Sequence, residues 1–237
     1  MARYSALIFL FIIGAFALIY FGIGKPEIRT LQRQEIKKTH AYQNPNESIE
    51  KINLRLIYFI PKDKKPFTDS SWREALKKST EELLAFHKVQ LGDSSNLTVS
   101  IDESPTIGES ESRQYDTNDT NRGNPHALTS IINELEERRI ILPEKTGSYD
   151  VTYIVYEGVG AAGAKKAALL SRIFMSDDAY ASIRSTLFSH EFYHTLGLFD
   201  RYDDNNISAS EDIMGLGRFK PLSTNYLEPQ TIRAFSL

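Results

Sequence analysis

Two histidines and a glutamate stand close together near the end of the chain, within the stretch S-H-E-F-Y-H-T-L-G-L-F-D. His190 and His194 are four residues apart, so a helix would place both imidazole rings on one face, where they can reach one metal ion. Glu191 follows the first histidine about 100° further round the helix, where it can touch a metal-bound water without being a ligand. The pattern therefore predicts a metal site that activates water.

A third metal ligand is predicted after the helix. Gly197 stands three residues past His194, and glycine lets the chain leave a helix with positive φ and turn back toward the metal. Asp200, three residues further on, can then supply a carboxylate, although Asp203 and Asp204 are close competitors for this position. Two histidines and one carboxylate would leave the fourth zinc position open for water.

The alternative to a metal site is a solvated surface helix on which Glu191 forms a salt bridge. Phe188, Phe192 and Leu196 recur every four residues along the same segment, which is typical of a helix that buries one face. We therefore expect this helix to be central to the fold.

The stretch also resembles the HExxHxxGxxD motif of the metzincin metallopeptidases, whose third ligand is usually histidine and sometimes aspartate. The longer sequence H-E-F-Y-H-T-L-G-L-F-D-R-Y-D is similar to the immune inhibitor A type of secreted bacterial metalloprotease, and the aspartate is similar to that of snapalysin. Metzincins carry a methionine turn under the zinc, and the sequence D-I-M-G at 212–215 fits it. The resemblance covers about residues 189–215.

The resemblance implies a site for Zn²⁺ and a role for each matching residue. It implies His190, His194 and Asp200 as zinc ligands, Glu191 as the general base and Met214 as the floor of the site, with Gly197 at the turn. Some metzincins have a tyrosine two residues after the methionine, and here that position holds Leu216. Tyr202 and Tyr226 are the remaining candidates for a tyrosine at the site.

The rest of the sequence predicts an α+β or mixed α/β fold in one domain, residues 50–237. Alternating apolar positions predict strands at 52–60, 97–101 and 151–155, and an apolar run predicts another at 170–175. The segment G-V-G-A-A-G-A at 158–164 is small and flexible.

Helix starts are marked by capping residues. Ser71 and Glu74 have the spacing of a capping box, and the helix they predict ends near Gly92. Asn124 followed by proline predicts a second start, and Asp177 or the next aspartate predicts a third helix that runs to about Leu196. The metzincin resemblance implies a twisted mixed sheet with the first helix as backing helix, an active-site helix and a small C-terminal subdomain.

The N-terminal part is predicted to lie outside the domain. Residues 5–24 are twenty residues without a charge, long enough for a single transmembrane helix, and residues 25–49 are polar and predict a stalk or linker. A cleaved signal, with secretion after cleavage near Gly24, is the alternative. The basic residues that follow the apolar run favour a cytoplasmic domain, whereas the resemblance to secreted peptidases favours an extracytoplasmic one, which we expect.

Composition excludes several classes of site. The chain has 237 residues and no cysteine, so it has no disulfide scaffold, no thiolate metal site and no cysteine nucleophile. A net charge of −3 gives no reason to expect a nucleic-acid partner. The segment 203–206, D-D-N-N, could help to bind Ca²⁺, but it lacks the EF-hand pattern and is better interpreted as a solvated turn.

The sequence thus predicts a zinc-dependent endopeptidase that acts on a peptide or protein substrate. Two alternatives remain open at this stage: a catalytically idle metzincin-fold binding protein, and a zinc hydrolase of a non-peptide amide. The presence of Glu191 argues against the idle protein, because losing the base is the simplest way to inactivate such a site.

Overall fold

A computed structural model describes residues 38–116, 123–141, 147–203 and 207–235. The strands among them are β1 (His40–Ala41), β2 (Asn44–Ser48), β3 (Lys51–Ile60), β4 (Asn96–Ile101), β5 (Thr106–Ile107), β6 (Tyr149–Tyr156), β7 (Ala161–Ala164) and β8 (Ala167–Ser171). The helices are α1 (Ser71–Leu91), α2 (Ser112–Tyr115), α3 (Pro125–Glu137), α4 (Ile173–Ser176), α5 (Arg184–Thr195) and α6 (Pro229–Ala234). Helices and a mixed sheet therefore make up the domain.

The main sheet has the strand order β4-β3-β6-β8-β7, and β5 also pairs with β3. All neighbouring strands are parallel except β7, which runs antiparallel to β8 and forms one edge. The central strands β3 and β6 are buried on both faces, as expected for parallel strands covered by helices. The strands predicted at 52–60, 97–101 and 151–155 are confirmed.

The two faces of the sheet pack into separate apolar clusters. Along β3, Leu54 and Leu56 belong to the cluster that also contains α1 and α5 residues, whereas Ile57 and Phe59 belong to the cluster that contains α3 residues. This alternation follows from the two-residue period of a strand. The sheet is therefore sandwiched between helices, with α1 and α5 on the same side.

Helix α1 begins and ends close to the predicted positions. Gly92 ends it with φ of 63°, as its position predicts. The predicted capping box of Ser71 and Glu74 is wrong, because the N-cap residue is Ser70, whose side chain makes no capping hydrogen bond. Asp69 Oδ1 instead accepts a hydrogen bond from the Ser71 N–H, 2.8 Å away, so a residue further upstream satisfies the first turn. Trp72 is buried, as a backing helix requires.

The segment before α5 differs from the prediction in three ways. Strand β7 lies within the segment expected to be flexible, and its small residues allow close packing on α5: a Cβ on Gly163 would lie 2.4 Å from the Cβ of His194. Strand β8 ends at Ser171, and α4 follows where the strand was expected to continue. The predicted single helix is divided, because Asp177 caps a short 3-10 helix before α5 begins at Arg184.

The hairpin of β1 and β2 packs on the end of the domain. The Tyr42 N–H donates to the Leu196 carbonyl oxygen, and the His40 N–H donates to that of Phe235, both at 2.9 Å. Ala41 and Ile49 are buried. Residues 38–49 are therefore part of the globular unit, whereas the sequence assigned them to the linker, because its polar composition concealed a few long-range contacts.

The predicted membrane segment, residues 5–24, and most of the predicted linker lie outside the described residues. Among the residues that the structure does describe, no helix combines the length and apolar character needed to cross a bilayer.

Candidate metal centre

Helix α5 carries the two histidines at the centre of the domain. Phe188 and Phe192 are fully buried in the apolar cluster shared with α1, which holds the helix in place. His190 is buried and His194 is partly buried, so the solvated surface helix considered from the sequence is wrong. The two rings lie one helical turn apart, with centroids 4.7 Å apart.

Three donor atoms converge beside α5. His190 Nε2 and His194 Nε2 lie 3.1 Å apart, and Asp200 Oδ1 lies 3.1 Å from the first and 3.2 Å from the second. Ligands about 2.0–2.2 Å from a tetrahedral zinc ion lie about 3.3 Å from one another. The triangle is close to this size, so the three residues fit a zinc ion and form a possible metal-binding group.

The other ring nitrogen of each histidine is held by a backbone carbonyl. His190 Nδ1 lies 2.9 Å from the Ile213 carbonyl oxygen, and His194 Nδ1 lies 2.7 Å from that of Leu198. A carbonyl oxygen only accepts, so both Nδ1 atoms carry a proton and donate. In neutral rings each Nε2 then directs its lone pair to the common centre, which is the arrangement of metal-binding histidines.

Gly197 brings Asp200 back to the histidines. Its φ is 93°, a conformation that strains other residues, and its N–H donates to the His194 carbonyl oxygen at 2.9 Å. A Cβ at this position would lie 3.1 Å from the Tyr42 carbonyl oxygen. Backbone conformation and close packing both favour glycine here.

Glu191 lies beside the three donor atoms and not among them. It is 9% exposed, and no described residue donates a hydrogen bond to its carboxylate. Burial raises the pKa of Glu191, an effect that the charge of Asp200 reinforces and that His190 and His194 oppose. A carboxylate with a raised pKa is suited to accept a proton and release it again.

Charges within the cluster compensate one another. Burial would raise the pKa of Asp200, but hydrogen bonds from His190 and His194 hold it well below its usual range. Burial would lower the pKa of His194, yet the hydrogen bond to Asp200 and the nearby carboxylates raise it to about 9. The site therefore favours positive charge at its centre, whether a proton or a metal ion supplies it.

A partly buried polar network, which was not predicted from the sequence, supports the site. Arg201 contacts the carboxylates of Asp212 and Glu228, and its N–H donates to the Met214 carbonyl oxygen at 2.9 Å. Asp212 is fully buried and accepts a hydrogen bond from the Met214 N–H at 3.1 Å. The chain around Met214 is thus tied to the residue that follows Asp200. Only the D-I-M-G motif indicated any part of this network.

Tyr202 also lies beside the donor cluster. Among the described residues no contact brings the Tyr226 side chain there, although the Tyr226 carbonyl oxygen accepts a hydrogen bond from the Ile213 N–H at 3.1 Å. The Tyr202 ring is roughly parallel to that of His190, with centroids 6.3 Å apart. The guanidinium of Arg218 lies 3.5 Å from the centre of the Tyr202 ring. Burial and the adjacent Asp200 carboxylate raise the pKa of Tyr202 far above its usual range, so the phenol keeps its proton. Arg218 was not identified from the sequence.

Asp203 does not join the cluster, and Asp204 lies outside the described residues. Asp203 Oδ1 accepts a hydrogen bond from the Ile207 N–H at 2.9 Å, as in a polar turn, and residues 204–206 lie outside the described residues. Within the part of the chain that the structure describes, one group of three histidine or acidic side chains could hold a metal ion. It consists of His190, His194 and Asp200. Three of the four residues considered for a Ca²⁺ site from the sequence, 204–206, lie outside the described residues.

No protein-family model matches this sequence, and a search of curated proteins finds no match. Solved structures do match. Wild-type OgpA from Akkermansia muciniphila aligns with a TM-score of 0.50 and 17% identity over 85% of this chain. Catalytically inactive OgpA in complex with an O-glycopeptide substrate, glycodrosocin, aligns with a TM-score of 0.48 and 14% identity over 84%.

This chain spans 63% of the length of the OgpA chains that it matches. At such low identity the likeness shows the fold alone. The mixed sheet with helices on its faces is therefore shared with OgpA.

Proposed function

We propose that this protein is a metzincin-like, zinc-dependent endopeptidase. The proposal is carried by one observation: two histidine Nε2 atoms and one aspartate oxygen lie 3.1–3.2 Å from one another, with a buried glutamate beside them. His190, His194 and Asp200 would hold the zinc. A zinc ion bound there would supply Lewis acidity and lower the pKa of a water molecule toward about 7.

Glu191 is the general base of the proposed reaction. Its carboxylate takes a proton from the attacking water and later gives it to the nitrogen of the leaving amine, which leaves the glutamate ready for another cycle. Burial keeps the pKa of Glu191 above its ordinary value, so its carboxylate is a stronger base toward the attacking water than a solvated glutamate would be. The absence of a competing hydrogen-bond donor among the described residues leaves the carboxylate available for this transfer.

Tyr202 is the proposed hydrogen-bond donor to the carbonyl oxygen under attack. Its raised pKa keeps the phenolic proton in place, and the packing of the Arg218 guanidinium against its ring restrains it. A fixed donor that faces developing negative charge lowers the barrier of acyl transfer. The tyrosine that Leu216 replaces in the resemblance is thereby supplied from another position.

The substrate backbone is proposed to lie along the edge of β7. This strand is the last in the sheet and its Gly163 packs directly against His194, so a peptide added at the edge passes the donor cluster. An extended peptide can pair with an exposed edge through main-chain hydrogen bonds alone. Such binding suits a peptide and gives no comparable advantage to a small non-peptide amide.

We also propose that residues 5–24 anchor the protein in a membrane with the domain on the extracytoplasmic side. The support is the length of their apolar run. The resemblance to secreted peptidases is the reason for placing the domain on the extracytoplasmic side of the membrane. Protease treatment of intact cells tests the topology, and complete protection of the domain would contradict it.

The test of the activity is digestion of a broad peptide library by the full chain, purified in detergent. We expect internal peptide bonds to be cleaved with zinc bound, no cleavage after chelation, and recovery when zinc is returned. Glu191→Gln, which keeps the size of the side chain, is the matched control. Binding of peptides without cleavage by the wild-type protein would favour the idle binding protein instead.

A further inference from the structure

We propose that a pocket beside His194, walled by the N-terminal hairpin, binds a bulky apolar side chain of the substrate on the N-terminal side of the cleaved bond. This proposal rests on the proposed peptidase function and adds a substrate preference to it. The residues that carry it are Tyr42, Ala164, Leu198 and Phe199.

The pocket borders the candidate metal centre, because His194 is one of its lining residues, together with Gly163. It has a volume of about 270 Å³. This is room for a side chain and not for a folded partner. The walls are formed mainly by the turn of the β1–β2 hairpin, the end of β7 and the segment that follows α5, and Tyr149 of β6 also lines the pocket.

The hairpin wall is held firmly in place. The Tyr42 N–H bonds to the Leu196 carbonyl oxygen, and the Tyr42 ring packs edge-on against Phe235 with centroids 6.1 Å apart. Gly197 packs directly against the Tyr42 backbone. A wall fixed from several sides forms before the ligand arrives, so little conformational entropy is lost on binding.

The lining is mainly apolar, and one aromatic side chain is left open to solvent. Phe199 is 70% exposed although it directly precedes Asp200, whereas Leu198 is buried. Lys165, which also lines the pocket, and its neighbour Lys166 both contact Glu47, at 2.9 and 3.2 Å, so their charges are partly balanced. An exposed large apolar residue beside a reaction centre favours an apolar ligand group.

The direction of the substrate follows from the edge of β7. At the Ala161 end, the Asn124 N–H already donates to the Ala161 carbonyl oxygen at 2.8 Å. The edge is therefore available from Gly163 toward Ala164, where the pocket lies. Antiparallel pairing is the more stable arrangement per residue, so we expect the peptide to run from the Ala164 end of β7 toward the Ala161 end. Residues before the cleaved bond then lie at the pocket.

One substitution enlarges the pocket and another fills it. Phe199→Ala removes apolar wall, and Ala164→Trp fills the space from an exposed position at the end of β7. Val89→Ala is the matched control, because Val89 is also a highly exposed apolar residue and does not line this pocket. None of the three positions is in the buried core.

The experiment is a peptide-library digest by the zinc-loaded full chain, read by mass spectrometry as residue preference on each side of the cleaved bond. We expect the wild type and Val89→Ala to prefer Phe, Tyr or Leu at one position before that bond. Phe199→Ala should weaken the preference about fivefold, as expected for loss of part of an aromatic contact, and Ala164→Trp should shift it to small residues.

Cleavage without such a preference, or with one unchanged in both variants, would overturn the pocket assignment while the peptidase function stands. A preference that changes only after the cleaved bond would overturn it as well. Absence of any cleavage by the wild type would overturn both proposals.

A measurement of peptide binding tests the pocket independently of catalysis. In a Glu191→Gln background, intact peptides that differ only by Phe or Ser at the preferred position should differ in Kd about fivefold or more. Adding Phe199→Ala should reduce that difference to less than about twofold. Equal Kd values for both peptides in the Glu191→Gln background would contradict the proposal.

Discussion

Arg201 forms an ion pair with the fully buried Asp212, with 3.3 Å between Nη1 and Oδ2. Arg201 directly follows Asp200, and Asp212 directly precedes Ile213, whose carbonyl oxygen accepts the hydrogen bond from His190. This ion pair therefore restrains the chain beside the candidate ligand Asp200. It also restrains the chain beside the Ile213 carbonyl group, which orients the candidate ligand His190. Groups behind metal ligands tune both affinity and geometry in this way.

Removing the buried carboxylate of this pair should be costly. Asp212→Ala leaves the buried Met214 N–H without its acceptor and Arg201 with Glu228 as its remaining carboxylate partner, so we expect the free energy of unfolding to fall by about 1–3 kcal/mol and zinc affinity to fall about 10–100-fold. Urea denaturation and zinc titration measure the two effects. Glu211→Ala is the control, since the side chains of Glu211 and Lys220 are 53% and 48% exposed and such a pair contributes less than about 1 kcal/mol. Equal effects of both substitutions would contradict the positioning role.

Glu191→Gln separates proton transfer from metal binding. The amide keeps the shape of the side chain but cannot accept the proton, so we expect kcat to fall by about 100-fold to 10,000-fold. Because Glu191 lies outside the donor triangle, zinc content after purification should match that of the wild type. Full activity in this variant would remove Glu191 from the mechanism, and loss of zinc would indicate that it is a ligand.

Asp200→Ala tests the third ligand against its nearest competitor. We expect this variant to lose most of its bound zinc and its activity, whereas Asp203→Ala keeps both, because Asp203 bonds to the Ile207 backbone. Metal analysis of dialysed protein gives the result. Zinc retention by Asp200→Ala together with loss by Asp203→Ala would reverse the assignment.

Tyr202→Phe should slow catalysis without removing the metal. Loss of a donor to developing negative charge reduces kcat by about 100-fold in comparable sites, while KM and zinc content should change little. Tyr226→Phe is the control, because no described contact joins Tyr226 to the donor cluster. Similar kcat values in the two variants would mean that the Tyr202 hydroxyl has no part in the reaction.

His87 should make the fold sensitive to acid. Its ring is buried behind α5, with Nε2 3.0 Å from Ser95 Oγ and Nδ1 3.4 Å from the Tyr193 hydroxyl. Burial lowers the pKa of His87 to about 4, whereas an unfolded histidine titrates near 6.5. As pH falls through this window only the unfolded chain gains the proton, so the free energy of unfolding should decrease by up to about 3 kcal/mol.

Urea denaturation between pH 7 and pH 4 measures this loss. In His87→Gln the side chain cannot titrate. The contribution of this site to the slope of the free energy of unfolding against pH should therefore disappear, even if the variant is less stable at every pH. An unchanged slope in His87→Gln would show that other groups cause the acid sensitivity.

Strong local patterns allowed most of the fold to be predicted. The alternating apolar residues of β3 and β6 and the glycine that ends α1 lie where the sequence placed them. Strand β7 could not be predicted, because alanine and glycine have little preference for strands, and only the folded structure shows that Gly163 packs against His194. The β1–β2 hairpin was missed for a similar reason, since it is held mainly by contacts with residues more than a hundred positions away.

By itself the sequence determined which residues of α5 share a face, because the helical repeat sets that spacing wherever the helix lies. It also determined that Gly197 could turn the chain. Only the tertiary structure decided that Asp200, and not Asp203, meets the two rings. It likewise decided that Arg201 and Asp212 support the site, because these contacts depend on how distant segments pack and no local period encodes them.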